Sequence, residues 1–440
     1  MSNNSAWTGK HLAYAPATES ARSWKGVTRR LIACGTGALM CASLLTPSAA
    51  FAAEIVTVGD TDYAAADYAD GVGDEAKTWW WDGKDDLSLN NYNGGAISAM
   101  GDLNVSYSGT NTVTGEDTGI LVYGEEDDET ASLTVSGSEG SSLTVNASDR
   151  EATEHGVIVN SDGIYCDGDV TIKGQGALTV NSETYGIHSV GDLTLDNANV
   201  NVNVTAAEDS QFESISGVEG YGNVTIKNGT TLKVNVVASN DNQYAAGVEA
   251  LFAVMGDAPQ ASNGGNITIS DSDVDVKATG ESSCGIYALN EEGGVATISI
   301  NHSRVHAFGS LAAIAAAGFV DGGLEGSGVI TIDGANIVSP EGGVVYSFSQ
   351  KYSDELEVVG QAIGLKGATS PYDASDDVLI EPVKDEEPEE TVTPASAKTS
   401  GSAATRLAQT GDASAAGMFA AVAAGVTALG AGAFLSRRRS

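Results

Sequence analysis

Short alternations of apolar and polar residues recur along most of the chain, and each follows a phrase that begins with Gly and Ile or Val. The stretch GIHSVGDLTL at residues 186–195 shows the pattern in full, with Gly-Asp leading into a Leu-Thr-Leu triplet. Alternation over so few residues predicts β-strands with one buried face. Related phrases begin at Gly94, Gly119, Gly163, Gly217, Gly247, Gly285, Gly326 and Gly342. The chain is therefore predicted to be all-β and to consist of internal repeats.

A second alternating triplet usually follows each phrase, as in LTV at 178–180 and VNV at 200–202. Two or three short strands per repeat, joined by loops of variable length, explain the irregular spacing of the phrases. Stacked repeats set each strand beside its copy in the next repeat, about 4.8 Å away. This arrangement predicts a single-stranded parallel β-helix. A run of antiparallel sandwiches is the alternative, but the repeats keep one orientation and hairpin Asn-Gly turns are scarce.

The phase of the repeat assigns side chains to the inside or the outside of the predicted coil. Gly-Asp and Gly-Asn pairs are expected to turn the chain at its corners with a positive φ. Cys166 lies two residues after the inward Ile164, and Cys284 lies two residues before another inward position. The two thiols belong to coils that are too far apart for a disulfide, whose Cα atoms lie within about 7 Å. Two inward, buried, free thiols are predicted.

Composition divides the chain into five segments, which are an export signal at 1–52, an N-terminal cap with the first coil at 53–93, the repeats at 94–370, a disordered linker at 371–406 and a sorting segment at 407–440. Arg29 and Arg30 precede an apolar run and a small-x-small cleavage motif, which is the order of an export signal. The general secretory and twin-arginine routes both stay open. Clustered Pro and acidic residues indicate the disordered linker.

The sorting segment opens with the pentapeptide Leu407, Ala408, Gln409, Thr410 and Gly411. An apolar run at 413–435 and three arginines follow it, and such a run is long enough to span a bilayer. This order resembles the cell-wall sorting signals of Gram-positive bacteria, and the Ala at the second position resembles actinobacterial variants. The resemblance implies that a sortase cleaves after Thr410 and joins the exported protein covalently to peptidoglycan. A permanent membrane anchor through 413–435 is the alternative.

The net charge of −38 excludes nucleic acid as a partner, because both would be polyanions. Catalysis is not expected, since no nucleophile triad, phosphate loop or zinc-ligand spacing is present. Asp162, Asp167 and Asp169 are carboxylates on one coil, but Asp beside Gly is what turns require. The acidic loop 124–130 lacks the regular ligand pattern of a Ca²⁺ site. Neither a cofactor nor a metal is predicted.

The residue after each Gly-Ile or Gly-Val pair is expected to face outward and to stack with its copies. These positions are Leu121, Tyr165, His188, Glu219, Glu249 and Tyr287. Aromatic rings and carboxylates in a line suit a polysaccharide, so the positions from Tyr165 to Tyr287 are candidate ligand contacts. The tryptophans at positions 79–81 form a second candidate, in which Trp79 and Trp81 share one strand face and Trp80 takes the other. A hydrophobic plug over the first coil is the alternative role for them.

The phrases GGAISAMGDLNV and GIYCDGDVTI, with the tryptophan stretch, resemble secreted carbohydrate-binding or β-helix repeat surface proteins of bacteria. The resemblance covers about residues 78–340. It implies a monomeric, wall-attached rod that binds host or bacterial glycans, as an adhesin does. The alternatives are a passive coat or spacer protein and, after it, a polysaccharide-degrading enzyme.

Overall fold

The computed structural model describes residues 52–124, 130–148, 150–152, 157–159, 161–208, 210, 212–240, 243–252, 265–321, 325–351 and 356–383. Nearly all of the predicted export signal, the chain beyond 383 with the sorting segment, and most of the acidic loop lie outside these residues. Within them, no helix has the length and apolar character needed to cross a membrane. The helical structure found there is a 3-10 turn at Pro371–Asp373.

Three long sheets contain nearly all strands of the described residues. In spatial order, the first sheet consists of β2 (Thr61–Ala64), β1 (Ile55–Val58), β7 (Ile97–Met100), β10 (Thr118–Tyr123), β15 (Asp162–Cys166), β18 (Tyr185–Ser189), β21 (Ser214–Gly220), β24 (Tyr244–Phe252), β27 (Ser282–Asn290), β30 (Ala312–Asp321), β34 (Leu356–Leu365) and β33 (Gly343–Lys351). The second consists of β3 (Val72–Gly73), β4 (Trp79–Trp81), β5 (Asp86–Asn90), β8 (Leu103–Ser108), β11 (Leu133–Gly137), β16 (Val170–Lys173), β19 (Leu193–Asp196), β22 (Val224–Lys227), β25 (Asn266–Ser270), β28 (Val295–Asn301) and β31 (Ser327–Asp333). The third consists of β32 (Ala335–Ser339), β35 (Asp377–Pro382), β29 (Arg304–Phe308), β26 (Asp273–Thr279), β23 (Thr231–Val237), β20 (Asn199–Thr205), β17 (Ala177–Ser182), β12 (Ser142–Ala147), β9 (Thr110–Gly115) and β6 (Asn93–Gly95). A separate hairpin pairs β13 (Arg150–Ala152) with β14 (Val157–Val159).

The chain visits the first, second and third sheets in turn, and one such set of three strands is called a coil below. Strands in the middle of each sheet pair in parallel, from β7 to β30, from β5 to β31 and from β6 to β29. Antiparallel strands close the ends, with β1 to β4 at one end and β32 to β35 at the other. The prediction of an all-β chain is confirmed, and the parallel pairing excludes the sandwich alternative.

Alternating side chains from all three sheets meet in one continuous interior, as the apolar pattern predicts. In the coil formed by β18, β19 and β20, the fully buried Ile187, Leu195 and Val202 come from the three sheets. The neighbours of Ile187 in register, Ile164 and Val218, are also fully buried. Each coil therefore covers the apolar face of the next one, which a single coil cannot do alone.

In five of the phrases, the glycine faces the same interior as the Ile or Val after it. A methyl group built at Gly163 would overlap Cγ1 of Val180 on the third sheet and lie 2.7 Å from the carbonyl oxygen of Gly186. The same overlap with a valine recurs at Gly119 with Val145, Gly186 with Val202, Gly217 with Val234 and Gly247 with Val276. Glycine is thus needed because the first and third sheets approach too closely for a Cβ.

The Gly-Asp and Gly-Asn corners differ from the expectation of a positive φ. Gly101 and Gly265 do have a positive φ, but Gly168, Gly191 and Gly222 do not. Those three glycines stack against the backbone or corner side chain of the preceding coil, so they provide close approach instead. Left-handed backbone occurs at the next corner, between the second and third sheets, at Asn197, Asn228, Asp271 and His302.

The acidic residue of each corner caps the neighbouring coil. Asp169 Oδ1 accepts the Asp192 backbone N–H at 2.8 Å, and Asp192 Oδ1 accepts that of Asn223 at 2.8 Å. Asp102 accepts the Ser132 N–H in the same way at 2.7 Å. Corner N–H groups that would lack a partner are therefore satisfied by side chains, which explains why the phrase carries Asp or Asn after Gly.

The two cysteines are free and buried, as predicted, but one of them lies outside the interior. Cys166 belongs to the main apolar cluster inside the coils. Cys284 directly precedes Gly285 and belongs to a second apolar cluster on the outer face of the first sheet. The prediction that the Cys284 thiol points inward is wrong. Gly285 and Ile286 are consecutive residues that both face the interior, so the residue before them, Cys284, faces outward.

The folded part extends past residue 370, where the sequence predicts the start of a linker. The 3-10 turn at Pro371–Asp373 and the strand β35 both lie beyond that residue. The strand pairs with β29 and β32 and thereby closes the end of the third sheet. Its buried Val378 and Ile380 belong to the main cluster, so this segment is part of the folded core.

Candidate functional site

The column predicted from the repeat phase exists on the outer face of the first sheet. Leu121 pairs with Tyr165, and the register continues through His188, Glu219, Glu249 and Tyr287 on successive parallel strands. We call the five residues from Tyr165 to Tyr287 the outer row. In-register neighbours in parallel strands lie about 4.8 Å apart, so each side chain contacts the next.

Most of the outer row is buried, which differs from a platform open to a polysaccharide. His188, Glu219, Glu249 and Tyr287 each have between 3% and 8% of their surface exposed, and Tyr165 is half-buried. The second apolar cluster covers the far end of the row and includes Tyr287 itself. Four of the five predicted contacts are therefore out of reach of a large ligand.

Two strand sequences indicate this burial. All nine residues of β27 are buried, and seven consecutive residues of β24 are buried as well. Their sequences, SSCGIYALN and YAAGVEALF, are apolar on both faces, as strands covered on both sides are. In a sheet with water on one side, apolar and polar residues would alternate along the whole length of each strand.

The outer row gains one partner, Asp162, which the sequence pattern indicates as a turn carboxylate. Asp162, which precedes Gly163, is fully buried and its Oδ2 lies 3.4 Å from Nδ1 of His188. The rings of Tyr165, Tyr185 and Tyr221 surround the imidazole, with centroids 4.9 to 5.5 Å from it. This packing fixes the His188 ring and keeps water from it.

The surroundings raise the pKa values of Asp162, His188, Glu219 and Glu249, but not for the same reason. Burial raises the pKa of Asp162 and of Glu219, and it raises that of Glu249 well above its usual range, with the charge of Glu219 adding to the effect. Burial alone would lower the pKa of His188, but the hydrogen bond with Asp162 and the charge of Glu219 outweigh it and raise that pKa. Each of these groups holds its proton more firmly than it would in water.

The three tryptophans lie in β4, where the structure confirms their predicted faces. Trp79 and Trp81 are buried in the main cluster, whereas Trp80 is 49% exposed. The Trp81 Nε1 donates to the Lys84 carbonyl oxygen at 3.0 Å, and the Trp79 ring packs on Tyr63. Two tryptophans therefore act as the predicted plug, and the third is accessible.

The exposed indole of Trp80 lies flat against glycine backbone. A methyl group at Gly71 would lie 2.5 Å from Trp80 Cζ2, and one at Gly73 would lie 3.0 Å from Cε3. Small residues thus support one side of the ring and leave the rest to solvent. In register with Trp80 on the same face lies Ser88, followed by Ser106.

Polar side chains from β5, β8 and the end of β4 share the outer face of the sheet with Trp80, and we call Trp80, Asp82, Asp86, Ser88 and Asn104 the Trp80 patch. Asn104 Nδ2 donates to Asp86 Oδ1 at 3.1 Å, and Asp82 Oδ1 accepts the backbone N–H of Asp86 at 3.1 Å. Carboxylate oxygens of Asp82 and Asp86 also lie within 4.8 Å of one on Asp85. The patch combines an aromatic face with fixed hydrogen-bond acceptors.

The remaining outer surfaces are ladders of small polar residues. On the second sheet, threonines stack in register at Thr134, Thr171, Thr194, Thr225 and Thr268. On the third sheet, Asn181 Nδ2 donates to Asn146 Oδ1 at 2.9 Å, and Asn203 Nδ2 donates to Asn181 Oδ1 at 3.0 Å. The amide ladder uses much of its own hydrogen-bonding capacity internally.

The second apolar cluster contains a small cavity. Its volume is about 30 Å³, and its lining includes Cys284, Tyr287, Phe348 and Tyr372. By the volume that one water needs, such a space holds about two waters and no sugar ring.

Two histidines, His302 and His306, lie near the end of the third sheet. His302 occupies a corner with a φ of 46°, while His306 lies on β29. The two ring nitrogens of His306 lie 3.3 Å from Asp275 Oδ1 and 3.0 Å from Asp377 Oδ1. His306 thus ties the closing strand β35 to the last full coil.

Comparison of the chain with protein-family models, with curated proteins and with solved structures finds no match. No family is assigned to it on that basis. The pentapeptide from Leu407 to Gly411 and the apolar run at 413–435 lie outside the described residues.

Proposed function

We propose that the protein is an exported surface rod, a single-stranded parallel β-helix, that binds carbohydrate through the Trp80 patch. The observation that carries the proposal is the half-exposed indole of Trp80, which is supported by Gly71 and Gly73 and shares its sheet face with hydrogen-bonded carboxylates. Aromatic faces stack on the apolar faces of sugar rings, and carboxylates accept hydrogen bonds from sugar hydroxyls. The outer row is too deeply buried for this role.

The rotation of the chain through three parallel sheets supports the β-helix. In this architecture each coil contacts its neighbours, and terminal strands of different pairing protect the ends from edge-to-edge association. The antiparallel strands at both ends of the sheets are of that kind. A monomeric rod is part of this proposal.

Wall attachment through Thr410 is the proposed location. It is supported by the order of pentapeptide, apolar run and arginine tail, which resembles a sorting signal. A sortase would be the processing enzyme and peptidoglycan the acceptor. Retention in the membrane by 413–435 is the alternative.

Carbohydrate binding is tested on a glycan array with the wild-type protein and the Trp80→Ala variant. We expect the variant to lose at least about tenfold in affinity, since a stacked aromatic contact contributes about 1.5 kcal/mol or more. Tyr372→Ala is the matched control, because Tyr372 is 50% exposed at the opposite end of the sheets. Binding that survives Trp80→Ala unchanged would remove the patch from the proposal.

Wall attachment is tested by the Thr410→Ala variant in the producing cell. We expect the protein to shift from the wall fraction to the membrane or the medium, because the acyl group that the sortase transfers comes from that residue. Thr405→Ala, five residues upstream in the linker, is the control and should stay in the wall fraction. Equal wall attachment of both variants would contradict a sorting signal at Thr410.

A passive coat or spacer is the second candidate, and the polar ladders favour it. The threonine column of the second sheet and the asparagine column of the third present small, uncharged groups, and the asparagines hydrogen-bond to one another. A surface of this type is well hydrated and offers a ligand few anchors. Wall attachment without binding to any glycan on the array would favour this candidate.

A further inference from the structure

The outer row and Asp162 bring three carboxyl groups and one imidazole together in a space that excludes water. Glu219 pairs in register with Glu249 on one side and with His188 on the other, and His188 contacts Asp162. All four residues are at least nine-tenths buried. If every group were ionised, three negative charges would face one positive charge.

The surroundings of the four residues supply no further positive charge. The groups that face them are Tyr165 from β15, Tyr185 from β18, Ser216 and Tyr221 from β21 and its following corner, Tyr244 from β24, Cys284 and Tyr287 from β27, and Glu291 after β27. Among the described residues, no Lys or Arg forms an ion pair with Asp162, Glu219 or Glu249. Glu291 adds a fourth carboxyl beside Glu249.

Two polar atoms in this group have unused hydrogen-bonding capacity. Oδ1 of Asp162 and Nε2 of His188 are buried without a partner among the described residues. Unsatisfied buried polar atoms are uncommon in folded proteins and often mark a role beyond packing. Adjacent buried carboxylates repel each other unless one of them carries a proton.

We propose that Asp162, His188, Glu219 and Glu249 form a proton-binding element that makes the folded protein more stable in mildly acidic solution than at neutral pH. The folded state keeps protons on the row at a pH at which the same side chains in the unfolded chain have lost them. Stability therefore falls as the pH rises from the unfolded value of Glu, about 4.3, through the higher folded values. His188 acts in the same direction, because its charged form is favoured in the folded state.

The experiment measures the urea midpoint of the purified protein between about pH 5 and about pH 8, at about 1 M salt to screen the acidic surface. For each extra proton held by the folded state, the unfolding constant rises about tenfold per pH unit. We expect the wild-type midpoint to fall across this range. The double variant Glu219→Gln with Glu249→Gln mimics the protonated state of these two groups and should show a smaller dependence, because Asp162, His188 and Glu291 still titrate.

Glu281→Gln is the control, because Glu281 is exposed directly before β27 and should leave the pH dependence unchanged. Infrared spectroscopy provides a second readout that does not depend on unfolding. We expect a protonated-carboxyl band at neutral pH in the wild type that is weaker in the double variant, which keeps Asp162 and Glu291. A midpoint that rises toward pH 8, or an equal slope in the wild type and the double variant, would overturn the proposal.

Discussion

Gly163→Ala is expected to destabilise the protein by about 3 kcal/mol, although it adds a single methyl group. The new Cβ would overlap Cγ1 of Val180 and would lie 2.7 Å from the backbone oxygen of Gly186. A flexible side chain would yield, but a valine in a packed interior and a neighbouring strand do not. The substitution should therefore separate the first and third sheets locally.

Chemical denaturation of the wild type and the variant measures this loss. Gly140→Ala is the matched control, because Gly140 has a φ of 78° and nothing within 4 Å of an added Cβ. It should cost about 1 to 2 kcal/mol through left-handed backbone strain alone. A loss at Gly163 no larger than that at Gly140 would show that the sheets are not in tight contact there.

Trp81→Ala is expected to cost about 4 kcal/mol of stability. Trp81 is fully buried at the N-terminal end of the main cluster, and its indole N–H donates to the Lys84 carbonyl oxygen. Truncation leaves a cavity beside Leu87 and an unpaired carbonyl group at the start of the second sheet. The first coil should then fray before the rest of the chain.

The neighbouring tryptophan gives the opposite expectation. Trp80→Ala should change the free energy of unfolding by about 0.5 kcal/mol or less, since the side chain faces solvent. Urea denaturation of both variants compares the stability lost at the buried Trp81 with that lost at the exposed Trp80. Comparable losses at positions 80 and 81 would contradict the assigned faces of β4.

The all-β class, the parallel stacking and the register of the outer row could be predicted from the sequence. Period-2 alternation fixes which side chains share a face, and repeats in one orientation bring copies such as His188 and Glu219 together. The tryptophan faces followed from the same rule. These features depend on local pattern alone.

Burial of the outer row and the position of Cys284 could not be predicted by that rule. The burial depends on the second apolar cluster, whose members include Phe348 and Val358 from the antiparallel strands β33 and β34. The position of Cys284 depends on the inward-facing Gly285 and Ile286 that follow it. The inward pair of Gly163 and Ile164 also breaks simple alternation, which moves Asp162 to the outer face beside His188. Long-range packing and the close approach of two backbone segments thus determine burial and side-chain direction where the repeat pattern does not.

A structure of the protein with an oligosaccharide selected on the array tests the central claim most directly. We predict a sugar ring stacked on the Trp80 indole, with hydroxyl groups hydrogen-bonded to Asp86 or Ser88. An oligosaccharide bound on the threonine ladder or at the end of the outer row, with Trp80 bare, would contradict the account.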